Sequence, residues 1–515
     1  MSDAQTDVSK EWDVIIIGSG VGGATVARCI AQQGLDVLVL ERGKRVSAAI
    51  DQTEQTTPQE RVARGWWPNP VSQKKPDGTS TRFYAALGCA VGGSSIHYAA
   101  ALERMAASDF QALTTDKGRT SAWPITYEEF APFYDEAEKL YRVKTMFDAA
   151  ALGRLSEWDK AMMETLRRNG LHPDLLHVAI DYDESCVECT GKICARDCKA
   201  DAFSACLKHA LRQPTCRLLE DCDVQSLQAD SERVSMVHAL HEGRPLSLKG
   251  RVVVLCAGAF HSPVILLKSA NAAWPDGLAN SSGQVGRNLM FHTSDVFAVW
   301  ANRRFDRRGR QKKAISLRDF YVEHGMRLGY IQSMGIEIGQ GAIAVQLKNL
   351  LRQVGIRSEL LLSALVKLPS HVASAILGNA SLFAAASEDD ADPDNRICLD
   401  PGEPNGAYFT YTITPELRGR AQALRNAFKE AIKPWRMVSL SPTLSMNFGH
   451  PCGTCRFGDD PLSSVLDKNC RAHGLTNLFV VDSSFMPRSG AVNPSLTIAA
   501  NALRVAPAIA ACALP

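Results

Sequence analysis

No strong charge imbalance runs through this chain: 57 lysines and arginines face 55 aspartates and glutamates over 515 residues, for a formal net charge of +2. Near-neutrality gives no electrostatic reason to expect nucleic acid or an acidic membrane surface as a partner. Also missing is the uninterrupted apolar run of ~18 residues that a membrane span needs. The nearest approach, residues 360 to 386, is broken by Lys367, Pro369, His371 and Asn379 and reads as a helical hairpin, lid or surface helix. The opening MSDAQTDVSKEWD has neither the basic start nor the apolar stretch of a secretory signal, so export on its own is not expected. Internal repeats and long low-complexity tracts are absent, which excludes a repeat architecture. Fifteen cysteines, an odd number scattered along a large chain, argue for reduced thiols and a cytoplasmic setting over a disulfide framework.

What is present begins with a nucleotide-binding pattern. Asp13 to Ile17 is a short β-branched run of the kind found in buried parallel strands. Gly18, Gly20 and Gly23 follow in GxGxxG spacing, and residues 24 to 33 read as a helix ended by Gly34. The first glycine permits a tight turn, the second lets backbone approach a pyrophosphate, and the third lets helix and strand pack closely. Phosphates would then rest on the helix N-terminus, beside Val21 of the glycine turn. A second strand, residues 36 to 40, ends in Glu41, placed where a carboxylate accepts hydrogen bonds from a ribose diol and repels the extra phosphate of NADP. A glycine turn alone could be structural; the ordered strand, turn, helix, strand and acid point to a dinucleotide.

Further along, residues 88 to 98 form a second glycine-rich turn, GCAVGGSSIHY. Adjacent Gly92 and Gly93 with small hydroxyl residues suit a backbone lying against a flat ligand. Residues 128 to 141 and 155 to 170 read as helices. Residues 251 to 257 form a strand running into Gly258 and another helix, residues 477 to 481 a strand closing on Asp482, and residues 493 to 510 an alanine-rich helix. Between about 297 and 411 the pattern changes to strands plus an apolar helical insert, the sign of a separate substrate-side unit with an antiparallel sheet. The expected class is α/β with a discontinuous nucleotide-binding domain, because its elements recur at the beginning, middle and end.

These segments together resemble the glucose-methanol-choline (GMC) oxidoreductases over nearly the whole chain. Asp13 to Gly43 is similar to the family's N-terminal FAD motif, Val91 to Ser95 to its flavin-contact turn, and Gly258 to Ser269 to its second signature, with Ala270 where a glycine is usual. Weaker family-like segments are Gly286-Arg-Asn-Leu and Asn395 to Asp400. The C-terminal order His450-Pro-Cys-Gly-Thr-Cys-Arg-Phe-Gly, Asn477 to Asp482 and Asn493-Pro-Ser-Leu-Thr is the most telling. The resemblance implies a Rossmann-type FAD-binding domain over residues 11–105, 200–296 and 441–515. It also implies a connecting segment over 106–199, and an inserted α+β substrate domain over 297–440.

By the same resemblance His450 is the catalytic acid/base and Asn493 its partner, donating a hydrogen bond to the substrate oxygen. The chemistry agrees: an alcohol's O–H proton must leave as hydride passes to the flavin, and imidazole is matched to neutral pH. Gly18, Gly20, Val21, Gly23 and Glu41 are expected to contact FAD, as are Gly88, Val91, Gly92, Ser94, Ser95 and His97 of the second turn. Val224, Gly258, Asp482, Ser483, Asn493 and Pro494 complete the set. The His97 run is closer to sugar-oxidising members, in some of which this histidine is attached covalently to the flavin; a packed contact is the alternative. Cys452 and Cys455 flank a tight turn and are not read as a redox pair.

Cys186, Cys189, Cys194 and Cys198 crowd one loop, residues 184–202, with two, four and three residues between them. Such density suits thiolate ligation of an iron-sulfur cluster or of zinc, and unligated thiols are the third reading. The expected activity is oxidation of an alcohol or sugar CH–OH group, with electrons passing to O2, a quinone or a carrier protein. Alternatives are a non-redox flavoprotein lyase, an oxidase of an apolar, steroid-like alcohol whose lid is the greasy insert at 360–386, and a binding subunit with a dead site. That insert also leaves room for peripheral membrane or partner-subunit contact.

Overall fold

The protein is described from a computed structural model covering residues 10–46, 58–75, 77–115, 118–119, 122–144, 155–182, 186, 188–301, 313–322, 326–335, 347–348, 351, 356, 358–377, 380–441 and 444–514. Residues 1–9 of the N-terminal stretch read for a signal, and Glu184, Ser185 and Val187 of the cysteine loop, lie outside the described residues.

The expected nucleotide-binding strand is Glu11–Ile17, buried almost throughout. It pairs in parallel with Val37–Leu40 on one side and with the end of the long Arg244–Leu255 strand on the other. Cys216–Leu219 and Leu478–Val480 extend the two flanks, also in parallel. Strands from residue 11 to residue 480 therefore share one parallel layer. The long strand does double duty: its first half pairs antiparallel with Val234–His241, which pairs with Cys222–Ala229.

Between the first two strands the helix Val21–Ala31 buries Ala24, Val26, Ala27 and Ile30. It starts at Val21, three residues before the expected Ala24, because Gly20 already serves as the extended N-cap. The alanine-rich Ser495–Ala513 helix packs beside it and buries Leu496, Ala499, Ala502, Val505 and Ile509. It is the one described helix long and apolar enough to cross a membrane, and most of it is buried in the core.

The second large sheet is wholly antiparallel and runs Arg436–Ser439, Met290–Trp300, Ser381–Ala386, Tyr330–Ser333, Ile315–Leu317, Asp174–Leu175. Ser445–Cys452 joins it by pairing with the start of Met290–Trp300. The sheet thus draws strands from on either side of the expected 297–411 stretch. Helices Glu157–Arg168 and Pro415–Ala431 cover it through Trp158, Met162, Leu166, Leu424 and Phe428 against Phe297 and Phe383. The apolar insert divides differently from the expected hairpin or lid. Glu359–Leu377 is a helix with Leu360, Leu361, Leu365, Leu368 and Val372 exposed, whereas Ser381–Ala386 is a strand with neighbours on both sides. A serine and five apolar residues have no periodicity that separates strand from helix, so sheet pairing decides.

Candidate active site

Three helix N-termini converge on one cavity of about 780 Å³. They belong to Val21–Ala31, Gly258–Lys268 and Ser495–Ala513; none is capped by the side chain of its own N-cap residue, although the Gly258 N–H is taken by the Asp482 carboxylate. Uncapped N-termini leave orphan backbone N–H groups and a partial positive charge, the ready-made setting for a phosphate. The glycines that admit the backbone are held by contact. A Cβ on Gly23 would overlap the Gly18 carbonyl, whereas one on Gly20 would meet nothing within 4 Å, because that residue faces the cavity. The second turn presses against the first: a Cβ on Gly93, whose φ is +58°, would lie 2.8 Å from Gly20 Cα.

Glu41 sits at the end of its strand as expected and is buried. Its carboxylate accepts the Ser19 N–H at 3.0 Å, the Ser19 hydroxyl at 2.6 Å and the Gly43 N–H at 2.9 Å. Burial still raises its pKa above the ordinary carboxylate value. The Ser19 hydroxyl also accepts the Gly92 N–H at 3.0 Å, tying the two glycine turns together. Asp482 accepts the N–H of Gly258 and of Ser484, each at 2.9 Å, and the Ser262 hydroxyl, and burial raises its pKa too.

Of the residues expected to contact the cofactor, Gly18, Gly20, Val21, Glu41, Gly88, Ser94, Ser95, His97, Val224, Gly258, Asp482, Ser483, Asn493 and Pro494 line this cavity. Gly23, Val91 and Gly92 do not. Gly23 and Gly92 shape the turns from behind, and Val91 is core. His97 is buried beside Trp66, with ring centroids 4.9 Å apart, and among the described residues neither ring nitrogen has a hydrogen-bond partner. Burial, reinforced by the Arg61 and Lys199 cations, pushes its pKa down to about 3, so the ring is neutral. Phosphate-ready helix ends, a carboxylate at the ribose position and an orphaned buried imidazole on the wall all fit FAD.

His450 reaches the cavity through a break in sheet register. Met290 faces Cys452 and His292 faces Asn447, so residues 448–451 bulge opposite Phe291 alone. Bulges re-aim side chains, and this one carries His450 into the cavity wall. Its Nδ1 lies 3.0 Å from His292 Nδ1. Burial and the neighbouring His292 push the His450 pKa down to about 3. Asn493, just ahead of the C-terminal helix, lines the same cavity and donates from Nδ2 to Gln332 Oε1 at 3.1 Å. His292 and Gln332 were not anticipated from sequence. Both belong to strands of the antiparallel sheet, and no local motif marks them, although the family-like Gly286-Arg-Asn-Leu segment lies just before His292.

Cys452 and Cys455 are buried and the environment raises both thiol pKa values, desolvation most of all. Between them Gly453 takes a φ of +89°, which fits the turn reading. In the other cysteine cluster, Cys189 and Cys194 interact directly: the Cys194 thiol is lowered to about 5 by that contact, and the Cys189 thiol is raised. Among the described residues, which include all four cysteines, no three His, Cys, Asp or Glu side chains converge on a metal position. The donor set as folded does not fit an iron-sulfur or zinc cage. Instead, buried Lys199 organises the loop, donating to the Cys189 carbonyl at 3.1 Å, to Lys192, and to Ile96 and Tyr98 on either side of His97.

The chain matches the family description GMC oxidoreductase over residues 12–294 and 392–502. Among characterised proteins it is 28% identical to paromamine 6'-oxidase of Streptomyces fradiae, covering 98% of this chain and 92% of that one. It is also 28% identical to 2-methyl-1,2-propanediol dehydrogenase of Mycolicibacterium austroafricanum, covering 97% and 95%. Among solved structures, the pyridoxine 4-oxidase from Mesorbium loti superposes with a TM-score of 0.65 at 19% identity, over 97% of this chain and 99% of that one. A fold with uncapped helix ends around one cavity, a family match to both halves and relatives aligned along almost their full length converge on one assignment: the chain belongs to the GMC oxidoreductases and is an FAD-dependent oxidoreductase of CH–OH groups.

Proposed function

We propose that His450 accepts the hydroxyl proton of a small polar alcohol or sugar while the adjacent C–H bond delivers its hydride to FAD. The observation that carries this reading is the cavity wall itself, where His450 and Asn493 lie among Asn447, Gly449, Ser483 and Pro494, around the same space as the phosphate-ready helix ends. FAD, when bound, supplies the two-electron acceptor; the chain's residues do the rest. With its pKa far below neutrality, His450 stands in the neutral base form. As the substrate O–H bond breaks, its proton forms a bond to the imidazole, and the carbon, giving up its hydride to the cofactor that would be bound there, is oxidised to a carbonyl. Asn493, oriented by Gln332, supplies an amide donor for the oxygen on which charge develops. We assign the cofactor-facing role to the cavity-lining positions named above and keep FAD within the discontinuous domain of residues 11–105, 200–296 and 441–515.

Paromamine and 2-methyl-1,2-propanediol, named in the two relatives, are polar hydroxylated molecules, and the polar side chains of His450, Asn493, Asn447 and Ser483 on the wall support the same class here. This favours a polar substrate over a steroid-like one, because the exposed Leu360, Leu365 and Leu368 do not line the cavity. That exposed helix is left for a membrane or subunit contact, and the setting proposed is cytoplasmic. Reduced flavin is discharged to O2, a quinone or a carrier protein. The test is anaerobic mixing of the purified yellow protein with a panel of amino sugars, diols and sugars while following flavin absorbance. Bleaching by a polar alcohol is expected. Bleaching only by apolar alcohols would overturn the substrate class, and conversion without bleaching would overturn the redox reading.

A further inference from the structure

The contact that aims His450 also dictates which of its nitrogens carries a proton. His292 is buried at 2% exposure in the Met290–Trp300 strand. Its Nε2 lies 3.1 Å from the Ser489 carbonyl oxygen, and its Nδ1 lies 3.0 Å from His450 Nδ1. A carbonyl oxygen can only accept, so His292 Nε2 must carry the proton it donates. A neutral imidazole carries one proton, which leaves His292 Nδ1 as a bare acceptor. His450 Nδ1 must then be the donor, and His450 Nε2 is bare.

Both rings are neutral, and the surroundings keep them so. Desolvation lowers the pKa of each. The acid whose charge acts on His292, Glu388, is matched by Arg488 at 2.7 and 2.9 Å and by Arg327 at 2.7 Å. Against its own burial, those two guanidinium groups hold Glu388 below the ordinary carboxylate range. Its charge is therefore already compensated, and no unpaired carboxylate there draws a second proton onto His292.

We infer that His292 is a positioning residue that locks His450 in the Nδ1–H tautomer, so that Nε2 is the lone-pair nitrogen presented to the substrate hydroxyl. This rests on the proposed role of His450 and goes beyond it by naming the atom and the cause. In the opposite tautomer, Nε2–H would face the hydroxyl and no base would be present, however well the ring was placed. Once Nε2 takes the proton, the Nδ1–H to His292 bond becomes charge-assisted and strengthens, with the Ser489 carbonyl holding the far end of the relay.

The test uses the FAD-loaded protein with nitrogen-15-labelled histidines, whose ring shifts separate protonated from bare nitrogens; His450→Gln and His292→Leu identify the signals. His450 protonated at Nδ1 and bare at Nε2, with His292 showing the reverse, is expected. A His450 signal protonated at Nε2 in the wild-type protein overturns the inference, and either variant alone suffices to tell the two rings apart. In kinetics, His292→Leu is expected to lower kcat on the order of 10²-fold with little change in KM, uniformly along the pH plateau, since the loss is tautomeric. His292→Asn, which keeps an acceptor facing His450, is expected to recover most of that loss. Equal loss in both variants would assign His292 a merely structural role. A fully active His450→Gln with the tautomers as described would instead strike the proposed function and leave the tautomer assignment standing.

Discussion

The two glycine turns should betray their contact when a single methyl is placed between them. Gly93→Ala forces an alanine into a φ of +58° and sets its Cβ 2.8 Å from Gly20 Cα, with Gly20 N at 3.4 Å. The left-handed conformation costs about 1–2 kcal/mol for a residue with a Cβ. Overpacking against backbone, which gives less readily than a side chain, adds about 1–3 kcal/mol. Gly34→Ala separates the two contributions, because Gly34 also has a positive φ, +81°, but nothing within 4 Å of its hypothetical Cβ. It should lose only the conformational part. Unfolding entropy of about 2 cal/mol/K per residue makes each kcal/mol worth about 1 °C in a chain of this length. The apoprotein should therefore melt about 1–2 °C lower as Gly34→Ala and about 2–5 °C lower as Gly93→Ala. Because Gly20 and Gly93 both line the cavity, only Gly93→Ala should also release flavin, measured as the 450 nm to 280 nm ratio after gel filtration, which should fall to roughly half of wild type or less, a loss of at least about 0.4 kcal/mol of binding. Equal melting of the two variants with full flavin retention would refute the packing of one turn on the other.

Other outcomes follow from the same site. His450→Gln should retain flavin yet lose about 10²–10⁴-fold in kcat/KM, the range for a removed general base, in steady-state assays with the best alcohol of the panel. Asn493→Ala should cost about 10²-fold, the scale of one oxyanion donor, with flavin binding preserved. The orphaned His97 imidazole should decide flavin attachment: if yellow colour stays with the denatured wild-type chain, it must leave with the solvent in His97→Ala, and colour persisting in that variant would clear His97 of the role. His97, His292 and His450 all have pKa values lowered on folding, so the unfolded chain takes up protons first as pH falls below about 6.5. Their contribution to stability is complete above that pH and is lost toward pH 3, at about 1.4 kcal/mol for each tenfold loss of proton affinity on folding. Urea midpoints of the apoprotein should fall across this window, less steeply in His97→Asn. Asp389, raised to about 7 chiefly by desolvation, works in the opposite direction and softens the slope.

Local chemistry made much of this protein legible in advance. A β-branched run, a GxGxxG turn and a carboxylate in fixed order specify strand, turn, helix and ribose partner because each device acts within about thirty residues. The turn at Gly92-Gly93 was legible for the same reason, whereas the late His450 and Asn493 segments were legible only through their resemblance to a known family. What tertiary structure alone decided are matters of partners. Residues 381–386 became a strand because strands lie on both sides of them. Gly23, Val91 and Gly92 ended behind the cavity wall, since a turn's front and back carry the same residue types. The four crowded cysteines did not converge among the described residues, because ligand spacing along a chain does not dictate where thiols point. His292 met His450 across 158 residues only when their strands paired with a bulge. The histidine we propose as general base is thus legible in sequence through its family resemblance, but the proton placement on its two nitrogens depends on a carbonyl and a second ring that only the folded sheet brings within 3.1 Å.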